Sequence, residues 1–192
     1  MCGILGYILK KNINLNKEKF LENIKTLEKR GPDDSGYYIE SINNFNIYLG
    51  HRRLSILDLS SLGKQPMSLN SKGTIVFNGE IYNHQMIRDK YFSNNDITCK
   101  GTSDTESLIN FIQLKNFDEV LNNLEGMFSF CYFDKVLNKI YLARDRSGEK
   151  PLYFNTTHNS LGFSSDLCSL KKINLGDFSI NKEAVSKYIN LN

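Results

Sequence analysis

Cys2 follows the initiating methionine directly, and a thiol at that position can do more than an interior one. Its small side chain predicts removal of Met1 by aminopeptidase. The new first residue then carries a thiol and a free α-amine on neighbouring carbons. With reference pKa values of about 7.7–8.0 for the amine and about 8.5 for the thiol, the amine can take the thiol proton, directly or through a water. Nucleophile and base are then one residue. A thiol that attacks an amide also needs donors for the developing oxyanion. An amino-acid substrate adds two demands, a cation for its carboxylate and an anion for its ammonium.

The sequence holds candidates for each role. Asn78-Gly79 reads as a turn at the end of a strand over Thr74–Phe77. There the asparagine amide and the glycine N–H can point at one oxyanion, although the same pair also suits an ordinary hairpin turn. Arg52 and Arg53 each offer a guanidinium that can clamp a carboxylate. Neighbours on one strand point to opposite faces, so only one can serve, and spacing leaves the choice open. Asp104 falls at the first helical position after Ser103, where the helix dipole alone favours an acid. Its functional reading is the ammonium site, a task Glu80 can share. His51 and His84 are alternative bases, but no spacing ties either to Cys2, and both read as structural.

These residues need rigid supports. Ile4–Leu9 is a short apolar run and reads as a buried strand behind the nucleophile. Asn16 can cap a helix whose apolar face is Phe20, Leu21, Ile24 and Leu27. Arg30 to Gly36 is a loop rich in glycine, proline and aspartate. Strands follow over Tyr37–Ile39 and Ile47–Leu49, and Leu54–Leu57 reads as a further strand after Arg53. Asp58–Gly73 reads as loop, and Asn83–Tyr91 as a short helix. Ser103-Asp104-Thr105-Glu106 has the form of a capping box, opening a helix with Leu108, Ile109 and Ile112 inward. Another helical piece surrounds Val120, Leu121 and Leu124. Met127–Phe133 with Ile140–Ala143, and Leu152–Phe154 with Leu161–Phe163, read as two hairpins. Ser165 and Asn181 can cap two terminal helices. Strands in antiparallel pairs, rather than alternating with long helices, predict an α+β fold.

Composition narrows the class. Forty per cent hydrophobic residues within 192 suffice for one folded core, and only three prolines argue against a disordered chain. The net charge of +3 is spread along the chain without a basic tract, which points away from nucleic acid. No apolar run approaches the eighteen residues of a membrane span. The cysteines at 2, 99, 131 and 168 have no metal-ligand spacing, so no metal site is expected. Cys131 lies in an apolar run and reads as core. A cytoplasmic chain with reduced thiols is expected.

The segments MCGILGY (1–7), RGPDDSG (30–36), LGHRRLSILD (49–58), GKQPM (63–67), IVFNGEIYNH (75–84), SDTE (103–106), LEGMFSF (124–130) and LARDRSGEKPLYF (142–154) follow one another in an order that resembles the glutamine-hydrolysing domain of asparagine synthetases, among the class II glutamine amidotransferases. The resemblance implies the four-layer αββα fold of N-terminal-nucleophile hydrolases, with two stacked antiparallel sheets. It implies Cys2 as nucleophile, Asn78 and Gly79 as oxyanion hole, Arg53 rather than Arg52 on the substrate carboxylate, and Glu80 and Asp104 on its amino group. The Arg30-Gly31-Pro32 and Arg144-Asp145-Arg146 loops also match and read as scaffold. Residues 1–192 would then be one glutaminase domain. The family's ATP-dependent synthetase domain, with its serine-glycine-glycine loop, is not in this sequence. ATP and Mg²⁺ are expected on that domain, in the same or a partner chain, and no cofactor on this one. Glutamine is the expected small-molecule partner, without nucleic acid or membrane, and a homodimer is compatible with the pattern. The rivals are an amidotransferase domain serving another acceptor and a non-catalytic regulatory domain of the same fold.

Overall fold

Residues 1–172, 175–176 and 179–191 are described by the computed structural model. In chain order the elements are β1 (Gly3–Lys10), α1 (Lys17–Lys25), β2 (Asp34–Ile42), β3 (Phe45–Arg53), β4 (Met67–Leu69), β5 (Gly73–Ile81), α2 (His84–Ile87), α3 (Asp104–Leu114), α4 (Phe117–Asn123), β6 (Gly126–Asp134), β7 (Lys139–Arg144), β8 (Tyr153–Thr157), β9 (Ser160–Ser164), α5 (Leu167–Lys172) and α6 (Lys182–Leu191). One sheet runs β2-β3-β1-β9-β8 and the other β4-β5-β6-β7, with every pairing antiparallel.

Alternating side chains sort into three apolar layers. Ile4, Ile47, Leu49 and Phe163 of the first sheet meet Val76, Cys131 and Phe133 of the second, so these residues fill the space between the sheets. The opposite parity of the first sheet, with Leu5, Tyr7, Leu9 and Tyr48, packs under Phe20 and Ile24 of α1. The outer face of the second sheet, with Ile75, Phe77, Phe128 and Phe130, packs under Leu108, Ile109 and Ile112 of α3 and Val120 of α4. The order helix, sheet, sheet, helix is the four-layer αββα sandwich expected. Cys131 is fully buried between the sheets, as core.

Local chemistry accounts for the helix starts. Asn16 accepts from the Lys19 N–H at 2.9 Å, and Asn181 from that of Ala184 at 3.1 Å. Ser165 is not the cap of α5. Its hydroxyl instead accepts the Ile4 N–H at 3.0 Å, and Asp166 takes over, accepting the Ser169 N–H at 2.8 Å. The capping box at Ser103 is half formed. Ser103 Oγ accepts the Glu106 N–H at 3.2 Å, but the Glu106 carboxylate reaches past Ser103 to the N–H groups of Lys100 and Gly101, both at 2.8 Å. Those two N–H groups are half-buried, and between them they occupy both carboxylate oxygens.

Three further expectations are corrected. Leu54–Leu57 is not a strand, because its N–H groups find side chains instead of a ladder: Cys2 Sγ takes Leu54 at 3.4 Å and Asp33 takes Ser55 at 2.7 Å. Asn78-Gly79 is not a turn but lies inside β5, paired with Ser129 and Phe128 of β6. The Asp58–Gly73 stretch contains β4, a three-residue strand paired with Gly73–Ile75. At the C-terminal end, Leu175 packs on the layer under α1, whereas Ile180, Val185 and Ile189 are exposed. Ile173 and Phe178, also expected to pack, lie outside the described residues. Among the described residues no helix is long and apolar enough to cross a membrane.

Candidate active site

Strand parity decides which side chains meet. In β1 the even residues face between the sheets, since Ile4 does, so Cys2 continues toward that interior. In β3 the odd residues Ile47 and Leu49 face the same way, which puts Arg53 inward and Arg52 outward. The register Gly3↔Arg52, extended by one residue, sets Cys2 opposite Arg53. The hydrogen bonds agree. Arg52 Nε donates to Gly31 O at 2.8 Å and its guanidinium pairs with Glu28 at 3.4 Å, on the helix side. Arg53 donates to the carbonyls of Ser60 at 3.1 Å, Leu57 at 3.5 Å and Asp58. A guanidinium has five N–H donors, so these three bonds leave it donors for a carboxylate.

Arg53, Leu54, Gln65, Phe77, Gly79, Glu80, Asp104 and Thr105 line one cleft. A larger cavity of about 670 Å³ beside the β4–β5 turn, lined by Lys72, Lys100 and Gln113 among others, shares none of these residues. Converging polar groups, not volume, mark the smaller cleft as the site. The Cys2 thiol meets this cleft at Leu54, accepting the Leu54 N–H and donating to Leu54 O at 3.6 Å.

The floor of the cleft comes from β4 ending early. Its ladder with β5 reaches only Met67↔Ile75. Beyond that point the odd-numbered N–H groups of β5 still point off the same edge of the strand. Gln65 Oε1 takes the Phe77 N–H at 2.6 Å, and Asp104 Oδ2 takes that of Ile81 at 3.0 Å. The Gly79 N–H lies between them and is directed into the cleft. Glycine is required here, because a Cβ would come within 2.2 Å of Met127 O. On the adjoining face Asn78 is 1% exposed and belongs to the layer between the sheets, as Cys2 does. Its Nδ2 donates to Ser129 Oγ at a long 3.4 Å, while its Oδ1 is buried without a partner.

The electrostatics join these groups. Burial pushes the Cys2 thiol above its ordinary value; the Leu54 hydrogen bond, the chain N-terminus and Arg53 pull it down, and Asp104 pushes it up. At neutral pH the thiol is therefore mostly protonated and needs a base. Burial also raises Asp104, against the Ile81 hydrogen bond, and Glu80 adds to the rise. A cationic guest beside Asp104 would offset both causes of that rise. His51 supplies no base to this site. It is fully buried, bonded to Phe77 O at 3.2 Å, and desolvation lowers its pKa to about 3.

One arginine reads as scaffold from sequence and touches Cys2 in the structure. Arg30 Nε donates to the Cys2 carbonyl at 3.2 Å, and its Nη2 is buried without a partner. The signal available was an arginine next to a glycine-proline turn, which shows a loop but not where the loop folds. The Arg144-Asp145-Arg146 loop is scaffold: Asp145 accepts the N–H groups of Phe128, Glu149 and Lys150.

Residues 1–192 match the family described as glutamine amidotransferase domain. The chain is 34% identical over 98% of its length to asparagine synthetase (glutamine-hydrolyzing) 1 of Bacillus subtilis, and 35% identical over 88% to asparagine synthetase B (glutamine-hydrolyzing) of Escherichia coli. It spans 29% and 30% of their respective lengths. Among solved structures it superposes, with a TM-score of 0.69 and 18% identity, on the glutamine phosphoribosylpyrophosphate amidotransferase from B. subtilis, covering 88% of this chain and 42% of that one. That last likeness concerns the fold.

Proposed function

The chain belongs to the glutamine amidotransferase domain family, and on that premise we propose that it hydrolyses glutamine to glutamate and ammonia at Cys2. The observation that carries this reading is the Gly79 N–H left over between Gln65 and Asp104, in a cleft whose lining residue Leu54 is bonded to the Cys2 thiol. Glutamine lies with its α-carboxylate on Arg53 and its ammonium between Asp104 and Glu80. In the chain as translated the Cys2 nitrogen is an amide and cannot take a proton; loss of Met1 makes it an amine. That amine accepts the thiol proton as Sγ attacks the side-chain amide carbon. The carbonyl electrons move to oxygen, where Asn78 and Gly79 hold the charge. As the C–N bond breaks, the amine returns the proton and ammonia leaves. Water then hydrolyses the γ-glutamyl thioester, releasing glutamate and the thiol. Arg30 holds the Cys2 carbonyl throughout.

The ammonia acceptor we assign is a β-aspartyl group activated by ATP and Mg²⁺ on a synthetase domain outside residues 1–192. Support comes from the names of its relatives and from the part of their length it spans. A cytoplasmic setting, which keeps the nucleophile reduced, completes the reading. The test supplies the chain with glutamine, with and without aspartate, ATP and Mg²⁺. Glutamate and ammonia are expected in both mixtures, and neither asparagine nor pyrophosphate in either. Failure to release glutamate would overturn the reading, and asparagine at a catalytic rate would place a nucleotide site in these residues.

The arginines give a sharper expectation. Arg53→Ala should raise KM for glutamine about ten- to a hundredfold, the scale of about 1.5–3 kcal/mol for a charge-assisted hydrogen bond. Arg52→Ala loses contacts on the helix side and should affect thermal stability more than KM. Steady-state kinetics on both variants check this, and equal KM effects would contradict the parity assignment.

A further inference from the structure

The cleft has two walls that no ladder joins. One is the segment after β3, with Leu54, Ile56, Leu57 and Gly63; the other is the start of α3, with Ser103, Asp104 and Thr105. The first wall cages Arg53 with its carbonyls, and the second carries Asp104. Asp58 bridges them. Its Oδ2 accepts the Thr102 N–H at 2.9 Å, two residues before Asp104. Its Oδ1 accepts the Ser60 N–H at 3.0 Å and the Ser60 hydroxyl, and its backbone carbonyl accepts from Arg53. The approach is close, since a Cβ on Gly101 would lie 2.5 Å from Asp58 Oδ2. Asp58 makes these contacts from a left-handed backbone with φ of 41°, a conformation in which aspartate and asparagine are enriched among non-glycine residues.

We infer that Asp58 is a positioning residue for the substrate: its carboxylate ties the wall holding Arg53 to the loop leading into Asp104, and so sets the spacing between the cation and the anion that grip the two ends of one amino acid. The inference rests on the glutamine reading above. Both grips act on parts of the substrate that do not react, so loosening the tie weakens ground state and transition state alike. The signature is a raised KM at unchanged kcat.

Three variants separate the carboxylate from the backbone it sits on. Asp58→Ala removes the acceptor. Asp58→Gly removes it while accepting the left-handed φ freely. Asp58→Asn keeps one acceptor oxygen and tolerates the same φ. Glutamate release is measured against glutamine concentration, with melting temperature read on the same samples. The expected result is a KM raised about tenfold in Asp58→Ala and Asp58→Gly, within about threefold of wild type in Asp58→Asn, with kcat within about twofold throughout, the pattern of lost uniform binding. A wild-type KM in Asp58→Gly would assign any alanine effect to backbone strain and overturn the inference. So would a loss confined to kcat, or an equal loss in all three variants. A wild-type chain that releases no glutamate removes the glutamine reading itself, whereas an active wild type with unaltered variants removes only the tie.

Discussion

Cys2→Ala is expected to abolish glutamate release from glutamine, a loss of at least about 10⁴-fold, the scale seen when a catalytic nucleophile is deleted. No other group replaces it. Cys131 is fully buried and burial drives its thiol far above its ordinary value; Cys99 packs against the α3 layer and Cys168 lies on α5, whereas Cys2 is bonded to Leu54 of the cleft. Glutamine should still bind, because the proposed contacts to its carboxylate and ammonium come from Arg53, Glu80 and Asp104. Calorimetric titration of the variant with glutamine, beside a glutamate assay, reads both. Hydrolysis near the wild-type level would show that a different nucleophile acts. The base is tested by intact mass. The active protein should lack Met1, because burial holds the thiol protonated and only a freed amine on Cys2 can accept that proton within the residue. A fully active sample that retains Met1 would sink the mechanism.

Asn78→Ala should lower kcat about 10²–10³-fold, the cost of removing one oxyanion donor, with KM little changed, since the contact strengthens only as charge develops. The structure adds a second expectation. The substitution deletes a buried oxygen that has no partner and a single long bond to Ser129. An unsatisfied buried acceptor costs about 1–3 kcal/mol, which offsets the packing lost, so the melting temperature should barely move. A large fall in stability would mean that Asn78 is structural, and a pure KM effect would place it in ground-state binding.

The sequence alone determined a great deal. Short apolar runs placed β1 and β6, because a strand between two packed layers is apolar on both faces, and pairs of such runs across polar turns placed the β6–β7 and β8–β9 hairpins. The side chains of Asn16, Ser103 and Asn181 marked helix starts, because a short polar side chain is the nearest acceptor for unpaired N–H groups. The order of motifs was enough to name the family. Tertiary structure decided what depends on partners distant in the chain. Asn78-Gly79 looks like a turn locally, but β6, some fifty residues on, supplies the ladder that draws it into a strand, and ladder pairing outweighs turn propensity. Leu54–Leu57 looks like a strand, but the thiol of Cys2 and the carboxylate of Asp33 capture its N–H groups. The register of β1 against β3 sets Arg53, not Arg52, beside Cys2, a choice that residue spacing left open. Only the early end of β4 leaves the Gly79 N–H directed into a cleft, because an unpaired donor on a strand edge reflects where a neighbour stops, which the residues of β5 do not encode.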